Sequence, residues 1–218
     1  MLRPIFFDLY YTLVTSDTNY NWAALSAPVL GIEPEQFWQA SSATYADRMS
    51  GRLATPEAIV DAILAKLNVQ VEPEIYDQLV QHRLAFFSDV TLYPDTIPVL
   101  NTLKHNGHRM ALVTNCSNET IEVVQRLGLE QYFAVIAYSS VLGSVKPEPA
   151  IYQYALDHMN VSPSSVMYVG DGGDTEHAGA AAFGMTTVLL QRPEHKPRDV
   201  QADYTINSLY QLLELPMF

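Results

Sequence analysis

The chain opens on an apolar run, Ile5-Phe6-Phe7-Asp8-Leu9-Tyr10-Tyr11-Thr12-Leu13-Val14, bounded by Pro4 and by the polar Thr15-Ser16-Asp17-Thr18-Asn19. Its apolar part has the length of a buried strand and is too short to cross a membrane. The spacing then turns helical. Trp22, Leu25 and Val29 predict a helix over residues 19–30 with Gly31 as its C-cap. Glu33-Pro34-Glu35 opens a second, carrying Phe37, Trp38, Ala40, Tyr45 and Met49 as far as Gly51. Thr55 and Pro56 fit the N-cap and first position of a third, with Ile59, Ile63, Leu64 and Leu67 on one face. Pro73 opens a fourth, with Ile75, Leu79, Val80, Arg83, Leu84 and Phe87. Residues 18–88 thus read as helix throughout, with no strand between.

From Leu92 the pattern alternates. Helices are predicted over residues 96–104, 117–127 (Ser117 as N-cap), 150–159, 176–183 and 208–213. Strands are predicted over residues 110–114, 134–138, 166–169, 186–190 and 204–206. The inner strands are continuous apolar runs, the mark of a parallel sheet covered on both faces. Alternation of this kind predicts an α/β fold with a doubly wound, Rossmann-like core. The first strand needs partners that only the later strands supply. The helical block is therefore an insertion, and the expected division is a discontinuous core of residues 1–16 and 89–218 with a helical unit at 17–88.

Composition narrows the class. At 218 residues with 48% apolar content, the chain can bury a full core. A formal charge of -12 without a Lys/Arg cluster argues against nucleic-acid and anionic-membrane partners, but not against a small anionic substrate. The single cysteine, Cys116, forms no internal disulfide, and no long apolar segment precedes Asp8. Both fit a cytoplasmic protein without a signal peptide. Oligomeric state is not legible.

In doubly wound sheets, ligands bind at the carboxyl ends of the strands. Asp8 lies in the first run, where a buried carboxylate costs several kcal/mol unless it is paired, protonated or metal-bound. Thr114-Asn115 ends a later strand, Lys146-Pro147 lies between two later elements, and Gly170-Asp171-Gly172-Gly173-Asp174-Thr175-Glu176 ends another strand. Each has a plain structural reading: a capping Asp, a turn, a surface lysine, a tight loop. Their order and their placement at strand ends point to one site.

That order, Asp8-Leu9-Tyr10-Tyr11-Thr12, then Thr114-Asn115, then Lys146-Pro147, then Gly170-Asp171, resembles the four motifs of the haloacid dehalogenase-like hydrolase superfamily. The helical insert resembles that superfamily's helical cap, and the stretch from Gly179-Ala180 to Gly184-Met185 is similar to the segment after its acidic loop. The resemblance implies that Asp8 is a covalent nucleophile, taking a phosphoryl group that water then removes. It implies that Lys146 neutralises charge, that Thr114 with nearby amides holds the transferring group, and that Asn115 belongs to the same constellation. Asp8, the Tyr10 backbone carbonyl and Asp171 would hold Mg²⁺, with Glu176 joining directly or through water and Asp174 competing for that role.

Two positions depart from the family pattern. Most family phosphatases have an Asp two residues after the nucleophile; here Tyr10 stands there, a poor general base. Tyr11 stands where Gly is usual, and would be strained if the turn needs a positive φ. Tyr10 is also similar to the 2-haloacid dehalogenases, which need no metal, but the acidic loop is not. Arg48 and Arg52 are read as solvated, and Trp22, Trp38, Tyr45 and Tyr152 as packing groups. The expected activity is a Mg²⁺-dependent phosphatase acting on a small phosphorylated metabolite. The alternatives are a 2-haloacid dehalogenase and a non-catalytic member that binds a phosphorylated ligand or a protein.

Overall fold

A computed structural model describes residues 2–16 and 21–216 of the protein. The opening run is not one strand. β1 spans only Ile5–Phe7, and a tight turn comes next in which Leu9 O accepts from the amides of Leu13 (2.8 Å) and Val14 (3.1 Å). β2 then covers Val14–Ser16.

Five helices come next: α1 (Trp22–Val29), α2 (Pro34–Ser42), α3 (Tyr45–Met49), α4 (Pro56–Leu67) and α5 (Pro73–Ser88). The predicted start of the first helix at Asn19 lies outside the described residues. Asn21 caps it, its side chain accepting from Ala24 N at 3.1 Å. Thr55 caps α4 as predicted, accepting from Ala58 N at 3.2 Å. Pro34, Pro56 and Pro73 all stand at the start of their helices, where a missing N–H costs nothing. The second predicted helix is broken between α2 and α3. Trp22, Phe37, Ile59, Ile63, Leu79 and Val80 meet in an apolar core belonging to this unit alone.

β3 (Val90–Leu92) pairs antiparallel with β2, Ser16 opposite Val90, so the two ends of the helical unit meet in one small ladder. Neither strand was predicted. Three residues with a partner more than seventy positions away carry no local signal.

The remainder is α6 (Thr96–His105), β4 (Met110–Thr114), α7 (Glu119–Arg126), β5 (Val135–Tyr138), α8 (Ser139–Leu142), α9 (Pro149–Met159), β6 (Met167–Gly170), α10 (Glu176–Ala182), β7 (Thr186–Leu190) and β8 (Tyr204–Ile206). The predicted last helix is a 3₁₀ segment, Leu209–Glu214, and α8 was not predicted. Six strands form one parallel sheet in the order β5-β4-β1-β6-β7-β8.

Alternation along the strands fills two cores. Ile5, Phe7, Met110, Leu112, Met167 and Val169 face one layer with α6 and α7. Phe6, Ala111, Val113 and Tyr168 face the other, with α9 and α10. Both faces are dry, so no polar position interrupts these strands. From β1 the chain builds outward through β4 and β5, then returns to the other side of β1 through β6. The order reverses at β1, and a crevice opens at the carboxyl ends of β4, β1 and β6.

Candidate active site

Asp8 stands one residue past β1, and its amide still donates to Val169 O at 2.9 Å. Side chains alternate, so Asp8 follows Phe7 onto the side that Phe6 and Tyr168 occupy. There it meets Lys146, from the loop before α9. Lys146 Nζ donates to Asp8 Oδ1 at 2.6 Å, to Glu176 Oε2 at 2.5 Å and to Tyr168 Oη at 3.1 Å. Tyr168 in turn donates to Glu176 Oε2 at 2.7 Å. All four groups are buried.

One ammonium thus serves two buried carboxylates. Burial pushes the Asp8 carboxyl up, Lys146 pulls it back, and Glu176 and Asp171 push it up again, to about 8. For Lys146, burial works against the charge, but Asp8 and Glu176 outweigh it and raise the ammonium above the ordinary lysine range. Asp171 is likewise raised, first by burial and then by Glu176.

Asp8, Asp171 and Glu176 each offer an oxygen within 4.8 Å of the others'. Hard carboxylate oxygens, in excess of the local positive charge, form a donor set that suits Mg²⁺. The loop is shaped to bring Glu176 inward. A Cβ on Gly170 would lie 2.1 Å from Glu176 Oε1, so a larger residue there would displace the Glu176 carboxylate. Gly172 N donates to the same oxygen at 2.9 Å. Asp171 is held by Gly173 N at 2.9 Å and by Arg198, whose half-exposed side chain lies 2.9 Å from Oδ2. Asp174 stands apart from this cluster. It accepts from Tyr45 Oη at 2.6 Å and from Asn115 Nδ2 at 2.8 Å, while Thr175 occupies the N-cap position of α10.

Between these strand ends and the helical unit lies a cleft of about 820 Å³, lined by Asp8, Asn115, Lys146, Asp171 and Glu176 below and by Phe37, Trp38, Tyr45 and Arg48 above.

The family model for haloacid dehalogenase-like hydrolases matches residues 3–184. The chain belongs to this hydrolase family. Glyceraldehyde 3-phosphate phosphatase of Methanocaldococcus jannaschii is 27% identical, over 99% of this chain and 97% of its own. (S)-2-haloacid dehalogenase 1 of a Pseudomonas species is 28% identical, over 99% and 95%. Among solved structures, a 2-haloacid dehalogenase from Pseudomonas syringae superposes with a TM-score of 0.71 at 26% identity, over 98% of this chain and 97% of that one.

In this member of the haloacid dehalogenase-like hydrolases, the two departures have definite geometry. Tyr10 Oη lies 3.1 Å from Thr120 Oγ1, and burial raises its pKa further above the ordinary tyrosine value. Its hydroxyl is no neutral-pH base. Tyr11 has φ +58°, so the turn keeps the left-handed conformation that normally selects glycine. Its ring stands edge-on to His195, centroids 5.0 Å apart.

Thr114 and Asn115 do not act as a matched pair. Thr114 is fully buried, its hydroxyl directed at the Asn115 carbonyl 3.4 Å away. Asn115 faces the cleft and ties two loops together, accepting from Lys146 N at 2.7 Å and donating to Lys146 O at 3.1 Å. Arg52 is solvated, paired with Asp47 at 2.6 Å. Arg48 is half-buried rather than fully solvated. It lines the cleft, donating to Thr44 Oγ1 (3.0 Å) and Ser41 O (3.2 Å). Tyr152 packs in the core and donates to the Glu176 carbonyl at 2.8 Å.

Arg83 is the residue that sequence reasoning passed over. It is 2% exposed, lies between the Trp22 and Phe87 rings, and donates to Glu119 Oε1 at 2.8 Å and Ser117 Oγ at 3.0 Å. Ser117, expected to cap α7, serves this arginine instead. The signal was an arginine inside an apolar stripe, a residue almost never buried without a partner.

Proposed function

We propose that this hydrolase is a Mg²⁺-dependent phosphatase of small phosphorylated metabolites, working through an aspartyl-phosphate on Asp8. The observation that carries this reading is the convergence of Asp8, Asp171 and Glu176 around a single lysine. Three carboxylates so close repel one another unless a cation joins them. Bound there, Mg²⁺ would neutralise charge on the phosphoryl oxygens.

The chain's own residues do the rest. An ionised Asp8 oxygen attacks phosphorus, the bond to the leaving oxygen breaks, and that oxygen takes a proton from water. Water then attacks the phosphorus of the aspartyl-phosphate, releasing phosphate and Asp8. Lys146 favours the ionised form of Asp8, which a bound Mg²⁺ would complete, and meets the phosphoryl group. Asn115 fixes the lysine loop against the end of β4. Thr114 is assigned to supporting that strand end, because its hydroxyl faces the Asn115 carbonyl. The Tyr10 side chain is assigned no proton transfer, and its backbone carbonyl is the remaining oxygen proposed for the metal. The lack of a carboxylate at position 10 predicts slow turnover. Residues 17–88 act as a cap over the site. Among the described residues no helix is long and apolar enough to cross a membrane, and the one cysteine fits a reducing cytoplasm.

Tyr10 favours a second reading, a 2-haloacid dehalogenase in which Asp8 displaces halide from carbon without metal. One assay separates the two. Phosphate release from acetyl phosphate that needs Mg²⁺ and vanishes in Asp8→Asn supports the phosphatase. Chloride release from 2-chloropropionate in chelator, without phosphate release, overturns it.

A further inference from the structure

The cleft has room for more than a three-carbon substrate, and its lining is partly aromatic. Trp38 is 60% exposed, Tyr45 40% and Tyr11 38%, and all three line it. Single exposed apolar side chains need no explanation, but rings converging on one concave surface do. Trp38 is the most exposed of them, and no other ring pairs with it among the described residues. It adjoins Phe37, which is 2% exposed and holds α2 in the helical core, so the backbone beneath Trp38 is fixed.

Arg48 supplies the polar counterpart. Its guanidinium spends Nε and Nη2 on Thr44 and Ser41 and has no carboxylate partner among the described residues. It lies 5.7 Å from the centre of the Tyr45 ring. Burial and the charge of Arg83 lower its pKa to about 10, which leaves it cationic at neutral pH. A half-buried cation with unused N–H donors, lining the same cleft as an exposed indole, suits a flat ring carrying acceptor atoms at its edge. A cavity of about 820 Å³ has room for such a ring together with a phosphoryl group at Asp8.

We propose that the leaving group of the preferred substrate carries a planar heteroaromatic ring, stacked on Trp38 with its acceptor edge toward Arg48. This rests on the phosphatase reading for its phosphoryl end. Two sources share the chemistry, a nucleoside 5'-monophosphate and a phosphorylated pyridine such as pyridoxal 5'-phosphate.

Two measurements test it. In the Mg²⁺-loaded enzyme, kcat/KM is compared for uridine 5'-monophosphate, pyridoxal 5'-phosphate, glyceraldehyde 3-phosphate and 2-phosphoglycolate. At least one ring-bearing ester is expected to exceed both small esters by about tenfold or more, and which one does so identifies the source. Trp38→Ala is expected to raise KM for that ester about tenfold, the scale of one base–aromatic stack, to change the small esters less than twofold, and to be rescued by Trp38→Tyr. A preference for the small esters, or an equal loss on all four, overturns the proposal while leaving a phosphatase. Binding is read separately in Asp8→Asn, from quenching of tryptophan emission by each ring-bearing ester. With only two tryptophans in the chain, Trp38→Phe assigns the signal. If wild type releases no phosphate from any substrate, the phosphatase reading fails, and the titration still decides whether a ring binds at Trp38. No quenching by either ester overturns the ring subsite.

Discussion

Lys146 Nζ lies 2.6 Å from Asp8 Oδ1, and both groups are almost wholly buried. The pair is not balanced, because Glu176 claims the same ammonium at 2.5 Å. A buried cation shared by two carboxylates cannot be removed without leaving uncompensated charge. Lys146→Met should therefore abolish activity and also destabilise the fold, by about 3–5 kcal/mol. Urea unfolding of the variant measures this. A loss below about 1 kcal/mol would mean that the carboxylates had simply taken up protons.

The same imbalance makes Asp8 a liability without metal. Its carboxyl is raised from 3.8 to about 8, chiefly by burial. The folded pKa exceeds the unfolded one, so stability is fully present below about pH 4 and is lost as pH rises toward 8. Asp8→Asn removes that titration. In chelator, the stability gained by Asp8→Asn over wild type should grow between pH 4 and pH 8 to about 1 kcal/mol or more. Parallel urea series at several pH values check the trend, and a gain that shrinks with pH would contradict it.

Mg²⁺ should reverse this penalty. Added to chelator-treated protein at a hundred times its Kd, a ligand of the folded state alone stabilises by about 2.7 kcal/mol. Thermal melts with and without Mg²⁺ should differ in that direction, and Asp171→Asn should narrow the difference. An unchanged Tm at millimolar Mg²⁺ would argue against the metal site.

Tyr11 holds φ +58° without being glycine. A side chain in the left-handed region costs roughly 1–2 kcal/mol, partly offset by the greater unfolded-chain entropy of glycine. Tyr11→Gly should be more stable than Tyr11→Ala by about 1 kcal/mol, with turnover no lower than wild type. Equal stabilities would mean that the turn relaxes when the ring is removed.

Tyr10 separates a side-chain role from a backbone role. Its hydroxyl is engaged by Thr120 and kept protonated by burial. Tyr10→Phe should therefore change phosphate release less than about threefold, whereas Tyr10→Asp should raise it by supplying an acid/base group. A hundredfold loss in Tyr10→Phe would make the hydroxyl a participant.

Much of this was legible along the chain because it depends on local rules. Thr55 before Pro56 is a helix start wherever it occurs, and the continuous apolar strands announced a sheet buried on both faces. The strand-end carboxylates Asp8 and Asp171 stood out because charge inside apolar runs needs a reason. Other features depended on distance. The β2–β3 ladder joins residues far apart in sequence, and Arg83 is intelligible only beside Glu119 and Ser117 of α7.

The sequence by itself determined the family, the α/β core with its helical insert, and most of the residues that meet at the crevice. It did so because periodicity, caps and motif order are properties of neighbours along a chain. Only the tertiary structure decided which of those residues touch. It put Glu176 rather than Asp174 with Asp8, turned Thr114 inward, and left Arg48 half-buried with no acid beside it among the described residues. Each outcome turns on which side chains compete for one oxygen or one proton in a buried space, and that competition exists only once the strand ends have been brought together.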